Sequence, residues 1–204
     1  TIMCPTSGPK DATKIVKNLS DDIDLVICCG GDGTLNEGVT GNLMRDNKIL
    51  MAHLPVGTVN DVGTMYGFTK NMMVNAQMLV NGTIKNIDVC LINGKPFVYV
   101  ACIGSYVDVS YNTPRELKKK YGRLGYFFNA INELKGEVKL FDLEYDIDGI
   151  KKSGTYSFVF VTNTCRMGGF DNIYSDIKLD DDMFEVILIS AKTKPELIKI
   201  VSTV

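Results

Sequence analysis

Residues 30–42 read Gly-Gly-Asp-Gly-Thr-Leu-Asn-Glu-Gly-Val-Thr-Gly-Asn and follow the apolar run Leu25-Val26-Ile27-Cys28-Cys29. A buried strand, a glycine turn with one carboxylate and a helix start can bind phosphate through backbone alone. Gly30, Gly31 and Gly33 let the chain turn tightly and leave room that a Cβ would fill. The helix points unpaired N–H groups and its positive dipole end at the turn. Asp32 is the odd member, because a carboxylate repels phosphate unless a cation stands between them. The turn therefore predicts a nucleotide–Mg²⁺ site, with Asp32 reaching the metal directly or through water. The Thr34 hydroxyl adds a donor, and Leu35 and Asn36 complete the cradle. The plain alternative is an acidic hairpin turn.

A second glycine motif, Pro55-Val56-Gly57-Thr58-Val59-Asn60-Asp61, follows the apolar run Ile49-Leu50-Met51-Ala52-His53-Leu54. Two successive parallel strands would bring both loops to one edge of the sheet, where open α/β folds bind ligands. Asn60 and Asp61 share this loop. Asp61 either orients metal or acceptor or caps the following helix. Glu37 either orients substrate or metal or offsets the helix dipole. His53, in an apolar strand, reads as structural.

With these residues the sequence resembles the diacylglycerol kinase catalytic family, and within it the small bacterial lipid kinases that are also similar to sphingosine kinases. The carriers are Gly30-Gly31-Asp32-Gly33-Thr34 with Asn36 and Glu37, and Pro55-x-Gly57-Thr58-x-Asn60-Asp61. Further matches are Tyr121-Gly122-Arg123-Leu124-Gly125-Tyr126, Gly168-Gly169-Phe170 and Leu179-Asp180-Asp181-Asp182-Met183-Phe184-Glu185-Val186. The resemblance implies ATP and Mg²⁺ as cofactors and transfer of the γ-phosphate to a hydroxyl of diacylglycerol or a similar membrane lipid. It also implies that Thr58 contacts the nucleotide and that Thr6, at the end of a strand, lies near it. Asp181, with the carbonyls of Lys178 and Met183, would hold a structural Mg²⁺. Asp182 stands where the family has glycine. The family's general base and its Asn-Pro-x-Ser-Gly phosphate loop have no counterpart in these residues. The rivals are an NAD kinase, which should carry a Gly-Ser-Thr-Ala-Tyr-like stretch absent here, and a non-catalytic nucleotide- or lipid-binding module.

Composition is compatible with an enzyme domain. The 204 residues are 45% hydrophobic and 23% charged, and the net charge of −2 gives no nucleic-acid footprint. No apolar run approaches the length of a membrane span. The six cysteines occur without a C-x-x-C spacing beside a single histidine, which argues against zinc and for reduced, buried thiols. A cytoplasmic protein meeting the inner membrane face is the expectation. The basic stretch with aromatics, Pro114-Arg115-Glu116-Leu117-Lys118-Lys119-Lys120-Tyr121-Gly122-Arg123, either contacts that anionic surface or is a solvated face. A homodimer is a further expectation.

Periodicity supplies the elements that must position these residues. Strands are predicted at 2–4, 24–29 and 49–54, with a helix through Ala12, Ile15, Val16 and Leu19. Another helix runs from Thr34, a short one follows Asp61, and one through Met73, Ala76, Met78 and Leu79 closes near Gly82. After residue 84 the pattern turns antiparallel. Strands at 87–92 and 96–102 flank Asn93-Gly94, a hairpin turns at Asp148-Gly149, and strands follow at 156–162 and 184–190. A helix is predicted over 115–135, and Thr193 with Glu196 forms a capping box for the last one. The fold class is thus α/β. A Rossmann-like parallel-sheet nucleotide domain over 1–84 joins a mostly antiparallel β-sandwich lipid domain over 85–204, with a cleft between them. The chain starts inside the sheet and stops on an open helix. The 204 residues are therefore expected to be an inactive part of a polypeptide of about 300 residues.

Overall fold

The computed structural model describes residues 1–105, 137–164 and 178–202. The predicted helix over 115–135, the basic stretch, the Tyr121 motif and Gly168-Gly169-Phe170 lie outside the described residues. The first layer is built from β1 (Leu25–Gly30) and β2 (Leu50–Pro55), paired in parallel from Leu25 against Leu50 to Gly30 against Pro55. On one face Val26, Cys28 and Met51 meet the helix α2 (Asp32–Leu43), which buries Leu35 and Val39 against them. Gly38 permits the approach, since a Cβ there would stand 2.5 Å from Cys28 Sγ. Helix α1 (Asp11–Lys17) packs beside α2 and buries Ala12 and Val16. Its start is held by Asp11 Oδ2, which accepts from the Ser7 N–H at 2.9 Å and the Ser7 hydroxyl at 2.5 Å.

Two short helices follow, α3 (Asp61–Met65) and α4 (Met72–Asn81). Asn71 caps α4 by accepting from the N–H groups of Met73 and Val74, and the helix ends at Gly82. The rest is antiparallel. Strands β3 (Cys90–Ile92) and β4 (Lys95–Phe97) form a hairpin on Asn93 and Gly94, with φ of 49° and 72°. Strands β6 (Phe141–Ile147) and β7 (Ile150–Tyr156) form another on Asp148 and Gly149, with φ of 51° and 82°. Both turns use the two left-handed residues that match the strand twist. A three-stranded sheet runs in the order β5 (Val100–Gly104), β8 (Phe158–Thr162), β9 (Glu185–Ile189). Helix α5 (Lys194–Ser202) packs Leu197 against Phe158 and Ala191. The α/β class with one parallel and several antiparallel sheets is as the sequence predicts.

Three expectations are corrected. Residues 2–4 form no strand; Ile2 and Met3 are 73% and 89% exposed, and an extended segment without a ladder partner gains nothing from its β-propensity. The helix expected from Thr34 begins at Asp32, which places Gly33 inside its first turn. The strand expected over 96–102 is two strands, because β4 pairs with β3 and β5 pairs with β8.

Candidate phosphate-binding site

The parallel register delivers both glycine motifs to the same end of β1 and β2, as the sequence predicts. The Val56 N–H donates to the Gly30 carbonyl at 3.0 Å, so the two loops start hydrogen-bonded to each other. Gly57 then crosses Gly31 so closely that a Cβ on Gly57 would lie 2.5 Å from Gly31 Cα. Glycine at 57 is thus required by loop-on-loop packing. Gly33 differs: a Cβ there meets nothing within 4 Å. Helix α2 makes its first internal bonds from the N–H groups of Thr34 and Leu35 to the Gly31 carbonyl, at 3.0 and 3.2 Å. The amides of Asp32 and Gly33 precede those bonds and stand at the helix N-terminus, where an anion is favoured.

Asp32 makes two bonds that the sequence does not announce. Its Oδ2 accepts from the Asp61 N–H at 3.0 Å and its Oδ1 from the Val62 N–H at 3.1 Å. The carboxylate of one glycine loop therefore caps the helix that follows the other. Burial raises its pKa above the ordinary carboxylate value. The two amides oppose that rise, the nearby charge of Asp61 adds to it, and His53 opposes it. Each oxygen keeps a lone pair beyond its amide bond, so the group can still meet a cation.

Asn60 is left-handed, with φ of 55°, and its Nδ2 donates to the Gly57 carbonyl at 2.8 Å. Its Oδ1 is buried without a partner beside Gly31 and Gly57. A buried unpaired acceptor is costly, and a cation or a ligand hydroxyl would satisfy it. The oxygen chemistry of Asp32 and Asn60 fits Mg²⁺. Asp61 is 1% exposed, and its Oδ2 accepts from the Tyr99 hydroxyl at 2.7 Å.

The remaining predicted residues scatter. Thr34 lies over Gly30, where a Cβ would meet its hydroxyl, and Thr58 is exposed on the second loop. The Leu35 side chain lies in the core, so only its backbone is left for a ligand. Asn36 Oδ1 accepts from the Val98 N–H at 3.1 Å, tying α2 to the β3–β4 hairpin. Glu37 Oε1 accepts from the Lys10 N–H at 2.9 Å and so holds the start of α1. Thr6 is exposed in irregular chain ahead of α1, with no strand to carry it to the turn. His53 is buried, and its Nε2 lies 3.0 Å from the Gly30 carbonyl, which makes it the second donor to that oxygen.

The acidic turn at 180–182 forms a separate corner. Asp182 does take the left-handed conformation, with φ of 58°, in place of glycine. Its N–H donates to Asp88 Oδ2 at 2.7 Å, and the Asp88 N–H donates to the Leu179 carbonyl at 2.7 Å. Asp181 Oδ1 accepts from the Met183 N–H at 3.2 Å. Glu185 Oε2 and Asn163 Oδ1 are buried there without partners, and burial with the Asp181 charge raises the Glu185 pKa. Among the described residues no trio of His, Cys, Asp or Glu converges on one point. Sequence reading missed Asp88; its signal was a lone carboxylate inside the apolar run Ile87-Asp88-Val89-Cys90.

Comparison with known proteins agrees with this arrangement. Residues 2–92, which include both glycine loops, match the family described as the diacylglycerol kinase catalytic domain. The chain is 31% identical over 197 residues to a diacylglycerol kinase of Bacillus subtilis, covering 96% of this chain and 65% of that protein. It is 32% identical over 188 residues to a diacylglycerol kinase of Staphylococcus aureus strain JH9, covering 92% and 59%. A crystal structure of a candidate diacylglycerol kinase from Bacillus anthracis strain Sterne superposes with a TM-score of 0.81 at 27% identity, covering 97% and 65%. The chain thus spans about three fifths to two thirds of the length of these relatives. Among the described residues no helix is long and apolar enough to cross a membrane. The part of the chain that carries both glycine loops thus matches the diacylglycerol kinase catalytic domain, and the chain is similar to bacterial diacylglycerol kinases along nearly all its length.

Proposed function

We propose that this chain forms the nucleotide-binding part of an ATP-dependent lipid kinase that phosphorylates a hydroxyl of diacylglycerol or a similar lipid. The observation that carries the reading is the closed pair of glycine loops around Asp32. Phosphoryl transfer asks the protein mainly for positioning and charge stabilisation, and this edge offers both. The amides at the start of α2 would receive phosphate oxygens. Asp32 and Asn60 Oδ1 would hold Mg²⁺, which supplies neutralisation of the phosphate charge. Thr58, exposed on the second loop, would contact the nucleotide. Asp32 spends its capping bonds on α3, so that helix end is already neutralised and the anion is directed to α2. A second, structural Mg²⁺ would sit at Asp181. The acceptor side would fall to the antiparallel sheets, where Tyr145, Ile147, Ile150, Val186 and Leu188, with Lys152 among them, line a small, open, mostly apolar depression. The protein would work at the cytoplasmic membrane face, with residues outside this span supplying the general base.

The test is phosphoryl transfer from labelled ATP by the full-length gene product, offered diacylglycerol, sphingosine and NAD in parallel. Label on diacylglycerol is expected. Label on NAD alone would replace this reading with that of an NAD kinase, and nucleotide binding without transfer would favour a non-catalytic module.

A further inference from the structure

Consecutive residues between β4 and β5 hold both helices of the phosphate edge. The Val98 N–H is bonded to Asn36 on α2, and the Tyr99 hydroxyl to Asp61 on α3. Tyr99 is itself anchored from the other side. Its carbonyl accepts from the Thr162 hydroxyl at 3.0 Å and from the Asn163 N–H at 3.4 Å, at the end of β8. Thr162 and Asn163 are 1% and 4% exposed, so the anchor is part of a packed sheet. One residue therefore spans from the three-stranded sheet to the turn that carries Asp61.

Asp61 needs such a partner. Its carboxylate is out of water and close enough to Asp32 for their charges to repel. A hydroxyl donating at 2.7 Å is a charge-assisted bond that fixes the carboxylate in one orientation. The same residue's N–H is one of the two that grip Asp32. Letting the Asp61 side chain swing would move the start of α3 and loosen Asp32.

We propose that Tyr99 is a positioning residue for the phosphate site: its hydroxyl holds Asp61 so that the first amides of α3 stay on the Asp32 carboxylate. The role rests on the kinase reading only for its effect on turnover. It makes the antiparallel sheet, through β8, part of what sets the geometry around the phosphates.

The test uses Tyr99→Phe in the full-length gene product, which removes one oxygen and keeps the ring. Residue-resolved amide exchange, read without any substrate, should speed up about tenfold at Asp61 and Val62 and stay unchanged at Phe160 in β8. In the active enzyme, kcat should fall about tenfold while KM for ATP changes less than twofold. Unchanged exchange at Asp61 and Val62 overturns the proposal. So does exchange that rises equally along the chain, or selective exchange with kcat intact. A wild-type protein that transfers no phosphate counts against the kinase reading, while the exchange measurement still decides the positioning role.

Discussion

Asp32 is the one charge in a glycine cradle, and both its oxygens are bonded to the amides of Asp61 and Val62, 29 and 30 residues onward. Asp32→Asn replaces one acceptor by a donor that faces an N–H. It should cost about 1–3 kcal/mol in urea unfolding as well as activity; an unchanged midpoint would contradict the capping role. His53 was legible as structural, but its bond to the Gly30 carbonyl was not. Burial depresses its pKa, with the Gly30 bond and the Asp32 charge opposing. The folded value lies below the unfolded value of about 6.5. Stability from neutral His53 is therefore complete above about pH 6.5 and is lost as pH falls through the folded value. Since the chain has one histidine, the urea midpoint should drop more between pH 7.5 and 5.5 in the wild type than in His53→Leu. Equal drops would rule that out.

At the scale of elements, the turns were the most legible part. Asn93-Gly94, Asp148-Gly149 and the close at Gly82 each have a local chemical cause, and each is present. The strand over 2–4 failed because strand formation depends on a partner that no local pattern encodes. The start of α2 was placed two residues late because Gly33 has poor helix propensity, although the turn of Gly31 makes Asp32 the natural first residue. Glycines separate into roles that only coordinates distinguish. A Cβ at Gly41 would come within 2.4 Å of the Thr13 carbonyl oxygen, so Gly41→Ala must push α1 from α2. It should cost about 1–3 kcal/mol by denaturant midpoint, and a neutral result would mean that the helices yield freely. Gly33→Ala enters empty space in a helix and should stabilise by about 0.5–1 kcal/mol. If phosphate occupies that space, the same change should weaken ATP binding at least tenfold by calorimetry. Added stability with unchanged ATP affinity would remove Gly33 from the cradle.

At the scale of the whole molecule, the α/β class and the shared loop edge were legible because hydrophobic runs and glycine spacing fix them. Across the proposed boundary at residue 84, Val89, Val98 and Tyr99 pack into the core formed by Cys28, Leu35, Val39 and Val62. The far face of the parallel pair leaves Leu25, Ile27 and Leu50 at 44%, 47% and 42% exposed. Parallel sheets are ordinarily covered on both faces. These 204 residues expressed alone should therefore self-associate, and Ile27→Lys should raise the monomer fraction in sedimentation; a wild-type span that stays monomeric would contradict this. The proposed lipid kinase activity rests on the loop pair around Asp32. Its most direct test measures label passing from γ-labelled ATP to diacylglycerol in mixed micelles, with full-length wild type and Asp32→Asn, with Mg²⁺ and with chelator. Phosphatidic acid should form with wild type and Mg²⁺ and fall at least a hundredfold in the other three combinations. Wild-type turnover by Asp32→Asn in the presence of Mg²⁺ would contradict the account.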